Sequence, residues 1–354
     1  DNYLKNKDIE NLKINFLYCD FAPLIQRLKK KFKFIQVYYL IWQIKAFFIA
    51  KKSHLSKKYE LVHHITFVSI RSFSLMWLLG IPFIYGPIAG GESSPFWLRW
   101  RISFWGGIND TLRDILIFFS NLDPFHQISL KKAKLIIVST SHTKNLIPRK
   151  YFFKTIIVSQ IGVKTKKNYP KLINSKNKKI LYVGKFLYLK GMSIGIEAFA
   201  RALQIDPDLK LTLVGGGKEI NRWKNLSKKL NVENNIEWNK WATQKDLEYF
   251  YRHNGIFLFP SLHDSAGQVL LESMSFGLVP ICLKLGGPGE IVQKEIGFSV
   301  DVYKSTYRNI IDNLAENILF LSQDEEKWKH FSKKAFFHSK SLSWQAKINQ
   351  LNFY

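Results

Sequence analysis

The chain has 354 residues, 46% of them hydrophobic and 15% aromatic, with a net charge of +26. That length and apolar content support two ordinary domains with packed cores and exclude a disordered chain. Residues 1–176 carry 29 basic and 9 acidic side chains, against 24 and 18 in residues 177–354. The first half therefore holds most of the charge excess and calls for an anionic partner: membrane lipid, nucleic acid or a phosphorylated substrate. Cys19 and Cys282 form neither a metal spacing nor a disulfide framework, as expected in a reducing compartment. The longest apolar stretches, such as Val37–Trp42 and Ile115–Phe119, fall far short of the ~18 residues of a spanning helix, so no membrane crossing is expected.

In chain order, Leu12–Cys19 reads as a strand and Ala22–Lys52 as one long or broken helix rich in aromatics. Leu61–Thr66, Pro82–Gly86, Leu135–Ser139 and Thr155–Gln160 read as short strands separated by helices. Between Gly162 and Lys179 the composition turns to Lys, Asn, Pro and Ser, a linker signal. Beyond it, Lys179–Val183, Leu211–Val214, Ile236–Trp238, Ile256–Phe259, Val279–Leu283 and Gly297–Val300 read as buried strands. Gly191–Leu203, Lys218–Leu230, Lys245–Arg252 and Gly267–Phe276 read as the helices between them. Strands alternating with helices predict a parallel sheet covered on both faces. Two such units make an α/β protein of two Rossmann-like, doubly wound domains, with ligand in the crevice beyond the strands' C-terminal ends.

Four features follow strands of the second half. Gly184-Lys185, with Lys190-Gly191 five residues later, flanks a strand-to-helix turn with two cations suited to a diphosphate. Gly215-Gly216-Gly217 lets a backbone approach a ligand closely, but Ile220 breaks the dinucleotide pattern and counts against a nicotinamide or flavin enzyme. In the third, Pro260-Ser261-Leu262-His263-Asp264-Ser265-Ala266-Gly267 leads into a helix carrying Glu272 among apolar neighbours. A carboxylate so placed needs hydrogen-bond donors, and a ribose diol supplies two. The helix N-terminus at Ala266-Gly267 offers free N–H groups to an anion. The fourth is Gly286-Gly287-Pro288-Gly289-Glu290, another glycine loop opening a helix.

The run from Ile180 to Val292 resembles the donor-binding half of the retaining glycosyltransferases of family 4 (glycosyl transferases group 1), which have the GT-B fold. The residues carrying the resemblance are Gly184 with Lys190-Gly191, Leu213-Val214-Gly215, Pro260-Ser261, Asp264 with Glu272, and Gly286-Gly287 with Glu290. Their order and spacing match over about a third of the chain. The first half is similar more loosely, through Val62-His63-His64-Ile65-Thr66, the Gly86–Glu92 loop and Ser139-Thr140-Ser141. Lys185 stands where the family has Arg, and Asp264 where it has Glu; a Gly86-Pro87 pair occupies the place of a catalytic His in many members.

The resemblance implies an acceptor-side domain at 1–165, a linker at 166–178, a nucleotide-sugar-binding domain at 179–340, and a final helix at 341–354 crossing back to the first domain. It also places the family's first strand and Gly-rich loop before Asp1. It implies a metal-independent, retaining enzyme without a cofactor, moving a sugar from a nucleotide diphosphate to a hydroxyl of a lipid-linked or cell-surface polysaccharide precursor. The alternative is a non-catalytic or fragmentary nucleotide-sugar-binding protein of the same fold. Lys185, Lys190, Asp264 and Glu272 would be catalytic, and Gly184, Gly215, Gly216, Gly217, Ser265, Ala266, Gly267 and Glu290 would bind the donor. His63, His64, Gly90, Gly91 and Glu92 would face the acceptor. No nucleic-acid signature accompanies the positive charge, so an anionic membrane surface on the cytoplasmic side is the expected partner. Trp97, Trp100 and Trp105 alternate with Arg99 and Arg101, a pattern that serves either core packing or a membrane interface.

Overall fold

Short runs rich in Ile, Val, Leu and Phe become strands buried on both faces when helices cover the sheet from either side. The computed structural model has two such sheets; it describes residues 14–21, 35–65, 67, 69–164, 166, 168–170, 176–240 and 243–351. The first sheet holds β1 (Val62–His64), β2 (Phe83–Ile88), β3 (Leu135–Val138) and β4 (Thr155–Ile157), in that order and all parallel. Helix α1 (Ile35–Lys57) precedes β1, and the connections between strands carry α2 (Phe96–Ile102), α3 (Phe104–Ser120), α4 (Pro124–Lys132) and α5 (Ser141–Leu146). Strand β2 runs beyond the predicted Gly86 end to Ile88, through a cis Gly86-Pro87 peptide, and its register with β3 shifts between Tyr85 and Ile88.

The second sheet is larger. It holds β5 (Lys179–Val183), β6 (Lys210–Val214), β7 (Ile236–Asn239), β8 (Ile256–Phe259), β9 (Val279–Leu283) and β10 (Phe298–Val300). Their spatial order is β10-β9-β8-β5-β6-β7, all parallel. The helices are α6 (Met192–Leu203), α7 (Ile220–Lys229), α8 (Gln244–His253), α9 (Gln268–Met274), α10 (Gly286–Ile291), α11 (Tyr307–Ser322), α12 (Glu325–Ser341) and α13 (Trp344–Leu351). Because β5 pairs with β6 on one side and β8 on the other, the strand order reverses there, the point at which open sheets of this kind place their ligand crevice.

One predicted strand is corrected. Ile14–Cys19 is irregular, with Ile14, Phe16, Leu17 and Tyr18 exposed, because no described strand pairs with it. Leu12 and Lys13 lie outside the described residues, as do 22–34 of the expected long helix; that helix is described from Ile35 and continues to Lys57.

Two cores hold the sheets. One surrounds Phe83, Tyr85, Ile88, Ile136 and Val138 of the first sheet, with Ile70 and Leu130. The other surrounds the second sheet and also takes in Leu98 and Ile102 of α2. Helix α2 thus comes from the first half of the chain but packs into the core of the second. At the other end, Ser343 bridges to Val163 and the Lys347 ammonium of α13 donates to the Ser159 carbonyl at 3.2 Å.

Candidate functional site

The β8–α9 loop organises the crevice. The Asp264 Oδ1 accepts from the N–H groups of Ala266 (3.0 Å) and Gly267 (2.7 Å), capping the turn that opens α9. Its Oδ2 accepts from the Lys190 ammonium at 2.6 Å, and both side chains remain about one-fifth exposed. Lys190 also lies 5.5 Å above the Phe259 ring. Its place is set by the tight β5–α6 turn, where a Cβ on Gly191 would fall 2.0 Å from the Pro260 carbonyl. An ammonium has three donors and the Asp264 bond uses one, so Lys190 retains donors for an anion.

Glu272, one face of α9 further on, is half-buried. Its carboxylate accepts from the Tyr251 hydroxyl at 3.3 Å and from the Gln268 amide at 2.9 Å. Burial and the Glu272 charge push the Tyr251 phenol far above its ordinary value, so it stays a donor. The partner that the sequence asked of a ligand is thus supplied in part by the protein itself. Lys185 is exposed beside Gly184, and among the described residues nothing engages its ammonium.

The glycine triplet has a different reason from the one sequence assigns. Added Cβ atoms at Gly215 and Gly217 would stand 2.0 Å from the Gly184 carbonyl and 2.4 Å from the Phe186 carbonyl. The Phe186 N–H donates to Gly216 O at 2.8 Å, closing the two loops on each other. Only Gly216 has open space around it. Two of the three glycines therefore serve contact between loops.

The remaining expected residues are dispersed. The exposed Glu290 reaches across to the first half, accepting from the Ser141 N–H (2.7 Å) and hydroxyl (2.6 Å) at the start of α5. Ser265 is met at 3.5 Å by the Gln160 amide. Glu92 is buried, its carboxylate taken up by Thr140 (2.8 Å), Thr143 (3.0 Å) and the Gly90 N–H (3.0 Å). Gly91 packs where a Cβ would meet Leu146. His64 is also buried, with its ring nitrogens on Tyr39 (2.8 Å) and Ser74. His63 bonds the Gly86 carbonyl at 2.8 Å, and burial lowers its pKa against that bond. Neither histidine joins the Lys190–Asp264 cluster.

Sequence reading missed a link between the halves. His263, next to Asp264, is buried against α3: Nε2 lies 2.8 Å from Asp110 Oδ2 and Nδ1 lies 3.0 Å from the Glu92 carbonyl. Burial alone would raise the Asp110 carboxyl. The His263 and Tyr188 hydrogen bonds and nearby positive charge outweigh it and hold the group below its ordinary value. The only sequence cue was a histidine beside a site acid; Asp110 stands 153 residues away.

Helix α3 is inside out. Its buried positions are Gly106, Gly107, Asp110, Ile117 and Ser120, spaced for one helix face. Phe104, Trp105, Leu112, Ile115, Leu116, Phe118 and Phe119 are exposed. On α2, Arg99 is buried and pairs with Asp114 at 2.7 Å, while Trp100 packs against Gly107 and Trp97 stays exposed. The Trp/Arg alternation thus serves packing and an apolar surface together.

Residues 163–336 match the family model described as glycosyl transferases group 1. An uncharacterized glycosyltransferase of Haemophilus influenzae is 29% identical over 204 residues, covering 56% of this chain and 55% of that protein. A D-inositol 3-phosphate glycosyltransferase of Corynebacterium efficiens is 26% identical over 182 residues, covering 49% and 42%. The chain spans about half the length of the curated relatives it matches. Among solved structures, the lipopolysaccharide outer core galactosyltransferase WaaB superposes with a TM-score of 0.62 at 13% identity, over 89% of this chain and 80% of that one. Anabaena Alr3699/HepE, solved with UDP and glucose, gives 0.59 at 15% identity over 88% and 80%.

Proposed function

For a chain whose residues 163–336 form a group 1 glycosyltransferase domain within a GT-B fold, we propose that the protein moves a sugar from a nucleotide diphosphate sugar to a hydroxyl acceptor, retaining the anomeric configuration and using no metal. The Lys190–Asp264 pair at the head of α9 carries this reading. It places a cation with spare donors, and a carboxylate oriented by two backbone N–H groups, at the end of a sheet where ligands of this architecture bind. That the Anabaena neighbour holds UDP and glucose agrees with the donor class.

In this reading Lys185 and Lys190 meet the diphosphate and stabilise the negative charge that grows on it as the sugar departs. Glu272, already oriented by Tyr251 and Gln268, accepts from the ribose diol. The remaining lone pair of Asp264 Oδ2 and the backbone at Ser265-Ala266 contact sugar hydroxyls, with Gly184, Gly216, Gly267 and Glu290 lining the donor's path. The acceptor is a lipid-linked or cell-surface polysaccharide precursor, met at the inner face of the cell membrane by a peripheral protein. The outward aromatic face of α2 and α3 and the basic first half support that location; no described helix is long and apolar enough to cross a membrane.

A thermal-shift screen against nucleotide sugars tests the donor site. A ligand at 100 times its Kd adds about 2.7 kcal/mol of stability. Lys190→Ala should lower turnover about 10²–10³-fold. Activity within twofold of the parent would remove Lys190 from that role, and binding without turnover would favour a non-catalytic nucleotide-sugar-binding protein.

A further inference from the structure

The apolar face of α3 ends in a groove that the donor reaction does not use. Its cavity of about 340 Å³ lies between α1 and α3. Leu40 of α1, Phe67 and Phe73 of the loop after β1, and Leu116 and Phe119 of α3 form apolar walls. Tyr39 stacks on Phe67 with ring centroids 4.3 Å apart, which fixes one end. The loop is tied to the first sheet, since the Ile70 N–H donates to the Ala89 carbonyl at 2.8 Å, just past the end of β2. The groove therefore opens at the C-terminal end of that sheet, the side from which such folds bind ligands.

One charge in the lining is unanswered. Arg71 is half-buried there, and among the described residues no hydrogen bond or ion pair reaches its guanidinium. Arg113 lies nearby but is itself held by Asp114 at 3.2 Å and the Glu92 carbonyl at 2.7 Å, and burial together with its charge lowers the Arg71 pKa. Asp123 also lines the groove, but its Oδ1 is turned to the Phe125 N–H at 2.9 Å, capping α4. A partly dehydrated guanidinium without a carboxylate is a site for an anion, and the fork geometry suits a phosphate. The walls around it suit a hydrocarbon chain. The half of the chain that holds the groove carries 29 basic against 9 acidic side chains, which favours approach to an anionic surface.

We propose that this groove seats a phosphorylated lipid, with the phosphate on Arg71 and the chain along Leu40, Phe67, Phe73, Leu116 and Phe119. The proposal names the anionic part of the acceptor class suggested above and rests on that reading for its role, though the binding itself does not. Outward Leu112, Ile115 and Phe118 continue the apolar track along α3 and would lie against the bilayer from which the lipid comes.

Calorimetry with the full chain tests it, using monomeric dihexanoyl phosphatidic acid, dihexanoyl phosphatidylcholine and inorganic phosphate as separate probes. Phosphatidic acid should bind saturably, phosphatidylcholine about tenfold more weakly, and phosphate alone without measurable heat. Arg71→Gln should weaken phosphatidic acid about tenfold or more, as for other lost bonds to charged groups. Phe119→Ser, at an exposed position, should weaken it by several-fold without loss of folding. Sedimentation with phosphatidylcholine vesicles, with and without 20% phosphatidic acid, should show the same Arg71 dependence for the bilayer-borne lipid. The proposal is overturned if Arg71→Gln binds within twofold of the parent, or if phosphate competes as well as the lipid. It is also overturned if Phe119→Ser changes only self-association, which would assign the face to a second copy. Both variants keep the donor site, so their thermal shift with nucleotide sugars should match the parent's. Lipid binding by a chain that no nucleotide sugar stabilises would remove the donor reading and leave the lipid seat.

Discussion

The two halves of the molecule use the same strand-and-helix grammar and differ in where they put their apolar side chains. In the second half, β8 and β9 are buried along their whole length, and α6 and α11 turn their apolar stripes inward onto the sheet. In the first half, the sheet has short strands around a smaller core, while α3 turns Phe104, Trp105, Phe118 and Phe119 outward and its charges inward. The inward charges are not stranded: Asp110 meets His263, Asp114 meets Arg99, and Arg113 bonds the Glu92 carbonyl at 2.7 Å. Apolar surface placed outward contributes nothing to folding in water. The first half thus gives up core stability for a surface, and the second is built to hold a site still.

The largest test of that contrast is a pair of Phe truncations. Phe257 of β8 is fully buried, so Phe257→Ala should destabilise the second domain by about 3–5 kcal/mol. Phe118 of α3 is 66% exposed, and Phe118→Ala should fall within about 0.5 kcal/mol of the parent. Urea unfolding of both variants measures the difference. A large cost at Phe118 would mean that its face is covered in solution and would break the comparison.

Next in size is the link between the halves. Asp110→Ala leaves the His263 imidazole buried without its carboxylate, and breaking such a buried pair costs about 3 kcal/mol. Thermal unfolding should show the two domains separating earlier in the variant. The sign with pH follows from the lowered Asp110 carboxyl. Its contribution is present above the unfolded value of about 3.9 and is lost as pH falls through the folded value. The gap between the parent and Asp110→Asn should therefore be open at pH 7 and close in acid below about pH 4. A gap that persists at pH 2 would show that Asp110 acts through packing.

Sequence carried the second half nearly whole because its signals are local. Ile256–Phe259 is a four-residue apolar run that reads as a buried strand, and the Lys190, Asp264 and Glu272 spacings repeat a known pattern. The first half was less legible for two reasons. Ile14–Cys19 has a strand's composition, but pairing is decided by distant partners, and none is described beside it. The helical period of α3 is visible in sequence, yet which stripe faces inward depends on His263 and Arg99, both supplied from outside the helix. Gly215 and Gly217 were read as ligand-facing because the carbonyls of Gly184 and Phe186 that require them are invisible in a linear chain.

The smallest expected effect lies where α13 returns to the first half. Lys347 is buried beside the Ser159 carbonyl, and burial pushes its pKa down to about 8. In the unfolded chain the same ammonium holds its proton to about 10.4. Between those values the unfolded state binds more protons, so stability rises with pH across that window and is flat below it. Lys347→Met removes the buried charge, and after discounting for the solvent that still reaches it, the gain at pH 7 should be about 1 kcal/mol or less. That corresponds to about 2–4 °C in Tm for a domain of this size. The gain should shrink as the parent is raised from pH 8 to pH 10, because the parent then sheds the same charge without mutation. Parallel Tm curves across that window would show that Lys347 reaches water in solution, and that α13 rests on the first half more loosely than its contacts with Ser159 and Gly162 imply.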